Sequence, residues 1–194
     1  MTRKSIIAKP IAKLILKCLG WKAVPMHHDI NKSVVIMAPH TSTWDIVIGM
    51  CTLLSTDLQL NWVGKKELFK GPLGSMFRAW GGVPLDRAGT KNLVEAMAST
   101  IKKAETFHYG IAPEGTRSYA KNWRSGFYHI AMQAKVPMVF YFMDFKKKIA
   151  GCGPLFRPTG NIKEDMEVIR EFYSTISPRN PEKCGDILLQ AELE

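Results

Sequence analysis

A histidine and an aspartate five positions apart, His40 and Asp45, are the first residues whose types and spacing could do chemistry. On one continuous helix, residues five apart point away from each other, so a loop must bring this pair together. The apolar, β-branched run 34–37 predicts a buried strand, and the apolar residues of 44–54 recur at helical spacing. We therefore expect His40 on a strand-to-helix loop and Asp45 in the first helical turn, where the helix dipole favours a carboxylate.

The chemistry that this pair would supply is general base catalysis. Asp45 would hold one ring nitrogen of His40 and leave the other free to accept a proton from a substrate hydroxyl. No serine or cysteine nucleophile is needed if the substrate brings its own hydroxyl. The alternative is structural, a loop histidine hydrogen-bonded to a helix-capping aspartate. The spacing alone does not decide between the two, because it recurs by chance.

Strands and helices alternate along the chain. The hydrophobic patterns predict strands at 34–37, 58–63, 83–85, 109–112 and 136–142, and helices at 44–54, 90–104, 127–134 and 162–177. This alternation predicts an α/β fold, with one domain over 23–194 whose central sheet is largely parallel and flanked by helices.

Other polar residues also come just after predicted strands. His40 follows the first strand and Arg87 follows the third. The fourth strand leads directly to Glu114, Gly115, Thr116 and Arg117. Because functional loops gather at the carboxyl ends of strands in such folds, these three loops could share one site. Surface salt bridges are the alternative for the two arginines.

The composition is that of a folded domain with an anionic partner. Of the 194 residues, 46% are hydrophobic and 23% are charged, which argues against a disordered chain. The formal net charge of +10 indicates nucleic acid, a phosphorylated substrate, an acidic carrier protein or an anionic membrane surface. No helix-turn-helix, zinc-finger or RNP-like pattern appears, so nucleic acid is the weakest of these. The four cysteines are scattered without metal-binding spacing, which predicts reduced thiols and no metal.

The segment 1–22 is predicted to be a basic amphipathic helix. Its lysines Lys9, Lys13 and Lys17 recur every four residues beside a wide apolar face. Such a helix can lie in a membrane interface with its lysines towards anionic headgroups. A surface helix packed on the domain is the alternative. No apolar run is long enough to span a bilayer, and no signal peptide is evident.

The motifs, taken in order, resemble the glycerol-phosphate and lysophosphatidic acid acyltransferase superfamily, and its bacterial lysophospholipid acyltransferases in particular. The matching blocks occur in family order and are His40-Thr41-Ser42-Thr43-Trp44-Asp45, Gly82-Val83-Pro84-Leu85-Asp86-Arg87, Pro113-Glu114-Gly115-Thr116-Arg117-Ser118 and Val136-Pro137-Met138-Val139. Between the last two, Arg124-Ser125-Gly126-Phe127 resembles the family's basic-x-Gly-Phe segment. Each block is weak alone, but four in order are specific.

The resemblance implies roles for the catalytic and arginine residues. His40 would deprotonate an acceptor hydroxyl, which attacks an acyl thioester directly, and Asp45 would fix the tautomer of His40. Arg87 and Arg117 would bind the acceptor's phosphate, because guanidinium groups match phosphate oxygens in a way that a lysine does not.

The rest of the third block would shape the acceptor site. Gly115 permits close backbone approach or a positive φ, and Thr116 offers a hydroxyl. Glu114 would orient an arginine or an acceptor hydroxyl. Backbone N–H groups near the start of helix 44–54 are candidates for the oxyanion hole that a tetrahedral intermediate needs.

The expected enzyme is a 1-acylglycerol-3-phosphate O-acyltransferase of phospholipid biosynthesis. Its donor would be acyl-CoA or acyl carrier protein and its acceptor a lysophospholipid such as lysophosphatidic acid, with no further cofactor. Since 1–22 is too short for the membrane-spanning helices of many relatives, we expect a cytoplasmic protein, peripheral on the inner face of the cell membrane. An amino-acid-based lyso-lipid is the alternative acceptor, because a carboxylate can replace a phosphate between arginines.

Overall fold

The computed structural model describes residues 3–26, 29–71, 73–85, 93–189 and 192. The helices are α1 (Arg3–Cys18), α2 (Trp44–Thr56), α3 (Gly74–Ala79), α4 (Leu93–Lys103), α5 (Gly126–Ala134) and α6 (Ile162–Ser174). The strands are β1 (Lys22–Val24), β2 (Lys32–Met37), β3 (Trp62–Lys65), β4 (Gly82–Leu85), β5 (Phe107–Ile111), β6 (Asn122–Trp123), β7 (Met138–Asp144), β8 (Ile149–Phe156) and β9 (Asp186–Leu189). Short 3-10 turns lie at Lys66–Phe69 and Pro181–Lys183.

In the described part of the chain, the central sheet has the strand order β1-β8-β7-β2-β5. Strand β2 lies between β7 and β5 and pairs in parallel with both, while β8 runs antiparallel to β7 and parallel to β1. Strands β3 and β4 form a parallel pair, which Asn61 joins to the sheet through a parallel bridge to Tyr109 on β5. The predicted α/β fold with a largely parallel sheet is confirmed.

Both faces of the central strand are buried. Val34 and Ile36 pack on one side with residues from α4, α5 and α6, and Val35 packs on the other side with residues from α1 and α2. Helices on both faces leave β2 with no side in water, which explains why its sequence is continuously apolar rather than alternating.

Helix α1 packs on the domain and also turns an apolar face outward. Ala12 and Leu16 are buried against α2, and Lys9 forms an ion pair with Asp57 just beyond the end of α2. Ile11 and Leu14 lie on the outer side, where they are 52% and 61% exposed. In the described residues, no helix has the length and apolarity that a membrane crossing requires.

The structure also contains elements that the sequence patterns did not predict. They are β1, α3, β6, β8 and β9. Strand β3 begins at Trp62, later than the strand predicted at 58–63. Helix α4 is described only from Leu93, so the predicted start at 90 lies outside the described residues. The lysine run 146–148 forms the turn between β7 and β8.

Candidate active site at the carboxyl edge of the sheet

Two neighbouring strands deliver the main loops of the site. Strand β2 ends at Met37, and the next residues form the loop that carries His40. Strand β5 pairs with β2 in register, with Ile36 opposite Ile111, and its loop carries Glu114. Parallel neighbours end at the same edge of a sheet, so the two loops meet there, as the sequence predicts.

His40 and Asp45 are in contact. Nδ1 of His40 lies 3.2 Å from Oδ2 of Asp45, and the two side chains are 25% and 1% exposed. The same Oδ2 accepts hydrogen bonds from the backbone N–H groups of Thr41 at 2.7 Å and Ser42 at 2.8 Å. Asp45 therefore fixes both the loop and the imidazole, which leaves Nε2 as the ring nitrogen available to a substrate.

Glu114 holds the loop that carries His40 from the other side. Its Oε1 accepts a hydrogen bond from the backbone N–H of His40 at 3.0 Å. Burial raises the pKa of Glu114, and hydrogen bonds from backbone N–H groups, including that of His40, oppose the rise. Its Oε2 is buried with no hydrogen-bond partner among the described residues. In the structure, then, Glu114 positions the backbone of His40.

The remaining residues of the block 113–118 lie beside the loop that carries His40. Nη1 of Arg117 donates a long hydrogen bond of 3.4 Å to Oγ1 of Thr43, which directly precedes α2. Thr116 Oγ1 accepts the N–H of Ser118 at 3.1 Å. Gly115 has a φ of 66°, a conformation in which glycine avoids the steric cost of a side chain.

Arg87 lies outside the described residues. Strand β4 ends at Leu85 and pairs in parallel with β3, while Asn61, just before β3, pairs in parallel with β5. The end of β4 therefore lies at the same edge of the sheet as the end of β5. The role of Arg87 in acceptor binding therefore stays a prediction.

Several backbone N–H groups near the start of α2 are already engaged. The N–H groups of Thr41 and Ser42 donate to Oδ2 of Asp45, and that of Trp44 donates to Oγ of Ser42. The N–H groups of Asp45 and Ile46 donate to the carbonyls of Ser42 and Thr43. An oxyanion hole built from these five amides would have to break existing hydrogen bonds, but the N–H of Thr43 is not among them, so an oxyanion hole at the helix start stays a prediction.

A segment near the carboxyl end of the chain also contacts the loop that carries His40. Asn180 Nδ2 donates to the carbonyl of Thr41 at 2.9 Å, and the backbone N–H of Asn180 lies 3.3 Å from Oγ1 of Thr41. The guanidinium of the preceding Arg179 lies 5.2 Å from the ring centroid of Trp44. Sequence reasoning missed this contact, since no motif surrounds Asn180 and 139 positions separate it from Thr41.

Replacing Asn180 by alanine is expected to lower kcat by about tenfold, because the carbonyl of buried Thr41 loses a hydrogen bond next to His40. The KM for the acceptor should change less than kcat, since Asn180 holds the loop and is not placed against the headgroup arginines. Steady-state kinetics of the variant would check this, with Asn161→Ala as a matched control. Asn161 lies at the N-cap position of α6 without a side-chain capping hydrogen bond, and α6 follows β8 at the opposite edge of the sheet.

The arrangement can abstract a proton from a bound hydroxyl. A histidine held by a buried carboxylate, with the guanidinium of Arg117 beside its loop, suits the attack of an anionic alcohol on an activated acyl group. Among the described residues, no cluster of three or more histidine, cysteine, aspartate and glutamate side chains could hold a metal ion.

Comparisons with known proteins identify the family of the chain and a solved structure with a similar fold. A family model described as "Acyltransferase" matches residues 17–143, well over half of the chain. The crystal structure of the 1-acyl-sn-glycerophosphate (LPA) acyltransferase PlsC from Thermotoga maritima superposes with a TM-score of 0.57 at 18% sequence identity, covering 88% of this chain and 78% of that one. This likeness concerns the fold. No curated protein matches the chain.

Proposed function

Since the chain belongs to the acyltransferase family, we propose that it transfers a fatty acyl group from an acyl thioester to the hydroxyl of a lysophospholipid such as lysophosphatidic acid. The observation that carries the proposal is the contact between Nδ1 of His40 and the buried carboxylate of Asp45. With its Nδ1 held in this way, His40 can use Nε2 as a base towards a substrate hydroxyl.

The proposed reaction is a direct transfer. Nε2 of His40 takes the proton of the acceptor hydroxyl while the hydroxyl oxygen bonds to the thioester carbonyl carbon. The tetrahedral intermediate then expels the thiolate, which recovers the proton from His40. Asp45 stabilises the imidazolium that exists between these steps. The donor is acyl-CoA or acyl carrier protein, and the pair requires no further cofactor.

The acceptor's headgroup is assigned to the arginine side of the site. Arg117 lies beside Thr43, three residues from His40, so a phosphate bound there would place a nearby hydroxyl within reach of the base. Arg87 would add a second guanidinium from the loop after β4. Two guanidinium groups favour a phosphate or carboxylate headgroup over a neutral one.

An acylation assay tests the proposal. The purified protein is incubated with acyl-CoA or acyl carrier protein and a panel of lyso-lipid acceptors in the presence of vesicles. We expect transfer to lysophosphatidic acid. A folded protein that acylates no member of the panel with either donor would overturn the proposal.

We further propose that the protein works as a peripheral protein at the inner face of the cell membrane and docks through α1. The support is the outer face of that helix: a helix that only packed on the domain would place polar residues there, but Ile11, Leu14 and Ile15 are exposed. Of the lysine stripe Lys9, Lys13 and Lys17, Lys9 pairs with Asp57, while Lys13 and Lys17 are exposed and would meet anionic headgroups.

Replacing both Ile11 and Leu14 by glutamine is expected to weaken vesicle binding at least tenfold, because burying one such side chain contributes about 1.5–3 kcal/mol. Co-sedimentation with vesicles that contain anionic phospholipid would measure the change. The matched control is Val168→Gln, since Val168 is 43% exposed on α6, whose buried side packs on the opposite face of the sheet. Equal losses in the two variants, or none in either, would contradict docking through α1.

A further inference from the structure

Arg124 lies against the backbone of Gly115, in the block 113–118 that follows β5. A Cβ atom at Gly115 would come within 2.9 Å of Nε and 3.0 Å of Cζ of Arg124. A side chain at Gly115 would therefore push the guanidinium out of its present position, and the φ of 66° at Gly115 is itself unfavourable for other residues. The glycine thus leaves room for the guanidinium beside the loop.

The other end of Arg124 is fixed as well. Its backbone N–H donates to the carbonyl of Pro113 at 2.9 Å. The residue before it, Trp123, is buried in β6, and Phe127 is buried in the first turn of α5. These contacts fix the backbone from which the Arg124 side chain reaches the loop.

The charge of the Arg124 guanidinium has no ion-pair partner in the described part of the chain. No carboxylate there forms an ion pair with Arg124 or with Arg117, although Arg117 belongs to the loop after β5 and Arg124 lies against it. Glu114 does not serve as a counterion there, since its Oε1 accepts the N–H of His40. The guanidinium groups of Arg117 and Arg124 are therefore both available to an anionic ligand at this loop.

We propose that Arg124 binds the anionic headgroup of the acceptor, and that Gly115 supports this by leaving room for the guanidinium beside the loop. Gly115 lies between Glu114, which touches His40, and Arg117, which touches Thr43, so an anion on Arg124 lies beside the loop that carries His40. A guanidinium pairs with two oxygens of a phosphate or carboxylate at once. The inference rests on the proposed function, because it assigns a residue to the acceptor of that reaction.

Equilibrium binding of lysophosphatidic acid to the full chain, without acyl donor, tests the inference independently of turnover. Arg124→Gln is expected to raise the Kd about tenfold or more, and Arg124→Lys should raise it less, because lysine keeps the charge but loses the paired hydrogen bonds. Arg157→Gln is the matched control. Arg157 is an exposed arginine just after β8, which ends at the opposite edge of the sheet. Unchanged binding in both Arg124 variants would overturn the inference.

A double-mutant cycle tests the role of Gly115. Gly115→Ala should weaken binding in the wild-type background and much less in the Arg124→Gln background, because the strain of a positive φ is the same in both while the displaced arginine matters only in the first. Equal effects in the two backgrounds would overturn this role of Gly115.

Acyl transfer to matched phosphate-bearing, carboxylate-bearing and neutral acceptors then identifies the anion. Arg124→Gln should raise the KM of the preferred anionic acceptor about tenfold and leave that of the neutral acceptor and of the donor unchanged. If the wild type transfers no acyl group but still binds lysophosphatidic acid through Arg124, the proposed reaction fails and the binding role stands. If the wild type is active and Arg124→Gln has the same KM values, the binding role fails and the reaction stands.

Discussion

A chain with alanine in place of His40 is expected to lose about 100- to 10,000-fold in kcat/KM, because the acceptor hydroxyl then has no base to take its proton. The loss should appear in kcat, since His40 acts on the reacting oxygen and is not placed against the headgroup. Stability should change little. The imidazole is partly exposed, and Asp45 keeps its hydrogen bonds from the N–H groups of Thr41 and Ser42 when the ring is removed.

The measurement is the acyl transfer rate at saturating donor and acceptor, together with a thermal melt of each variant. His129→Ala is the matched control, because His129 is an exposed histidine on α5. A His40→Ala protein with the activity of the wild type would show that the His-x4-Asp pair is structural, which is the alternative that the spacing alone leaves open.

The sequence predicted the strands of the sheet centre because burial on both faces is visible as a continuous apolar run. Strand β8 shows the opposite case. Its Gly151 would clash with Val24 of β1 if it had a Cβ, at 2.0 Å from the carbonyl oxygen, and its Gly153 makes room for Phe172 of α6. The packing of β8 thus requires glycines, and glycines remove the β-branched pattern by which a strand is predicted.

Some contacts of the site can be predicted from a local stretch of sequence, and others depend on residues far apart in the chain. The contact of His40 with Asp45 follows from a short loop between a strand and a helix, and the sequence contains all of it. The hydrogen bond from His40 to Glu114 depends on the register between β2 and β5. The hydrogen bonds of Asn180 depend on how the chain crosses the site after α6. Neither the register of β2 against β5 nor the path of the chain after α6 is encoded in a local sequence pattern.

The sequence of helix α1 fits two placements, and the tertiary structure shows which residues serve each. Its pattern fits both a membrane-interface helix and a surface helix, because apolar residues cover more than half of its circumference. The structure places Ala12 and Leu16 against the domain and leaves Ile11 and Leu14 outside. The helix therefore has more apolar surface than its packing uses, and only the tertiary structure separates the two parts.

Replacing Asp45 by asparagine is expected to lower kcat by about 100-fold or more while the loop keeps its shape. The amide oxygen can still accept the N–H groups of Thr41 and Ser42, which bind Oδ2 in the wild type. Because the same Oδ2 contacts Nδ1 of His40, an amide oxygen in its place also keeps the imidazole oriented. The amide, however, lacks the negative charge that stabilises the imidazolium formed when His40 takes the proton of the substrate hydroxyl. The base stays in place, but its protonated form loses its counterion.

The kinetic and thermal effects of Asp45→Asn can be separated with a second buried aspartate. Asp165 is also 1% exposed and accepts N–H groups from its own loop, those of Thr159 and Gly160, at the sheet edge opposite the site. Asp165→Asn should therefore lower the free energy of unfolding, by about 1–3 kcal/mol, without the loss in kcat. If both variants lose stability alike and neither loses activity, Asp45 only caps the loop. A loss of kcat confined to Asp45→Asn makes the carboxylate a part of the base, since Asp165 accepts its hydrogen bonds from Tyr128, Thr159 and Gly160 and holds no histidine.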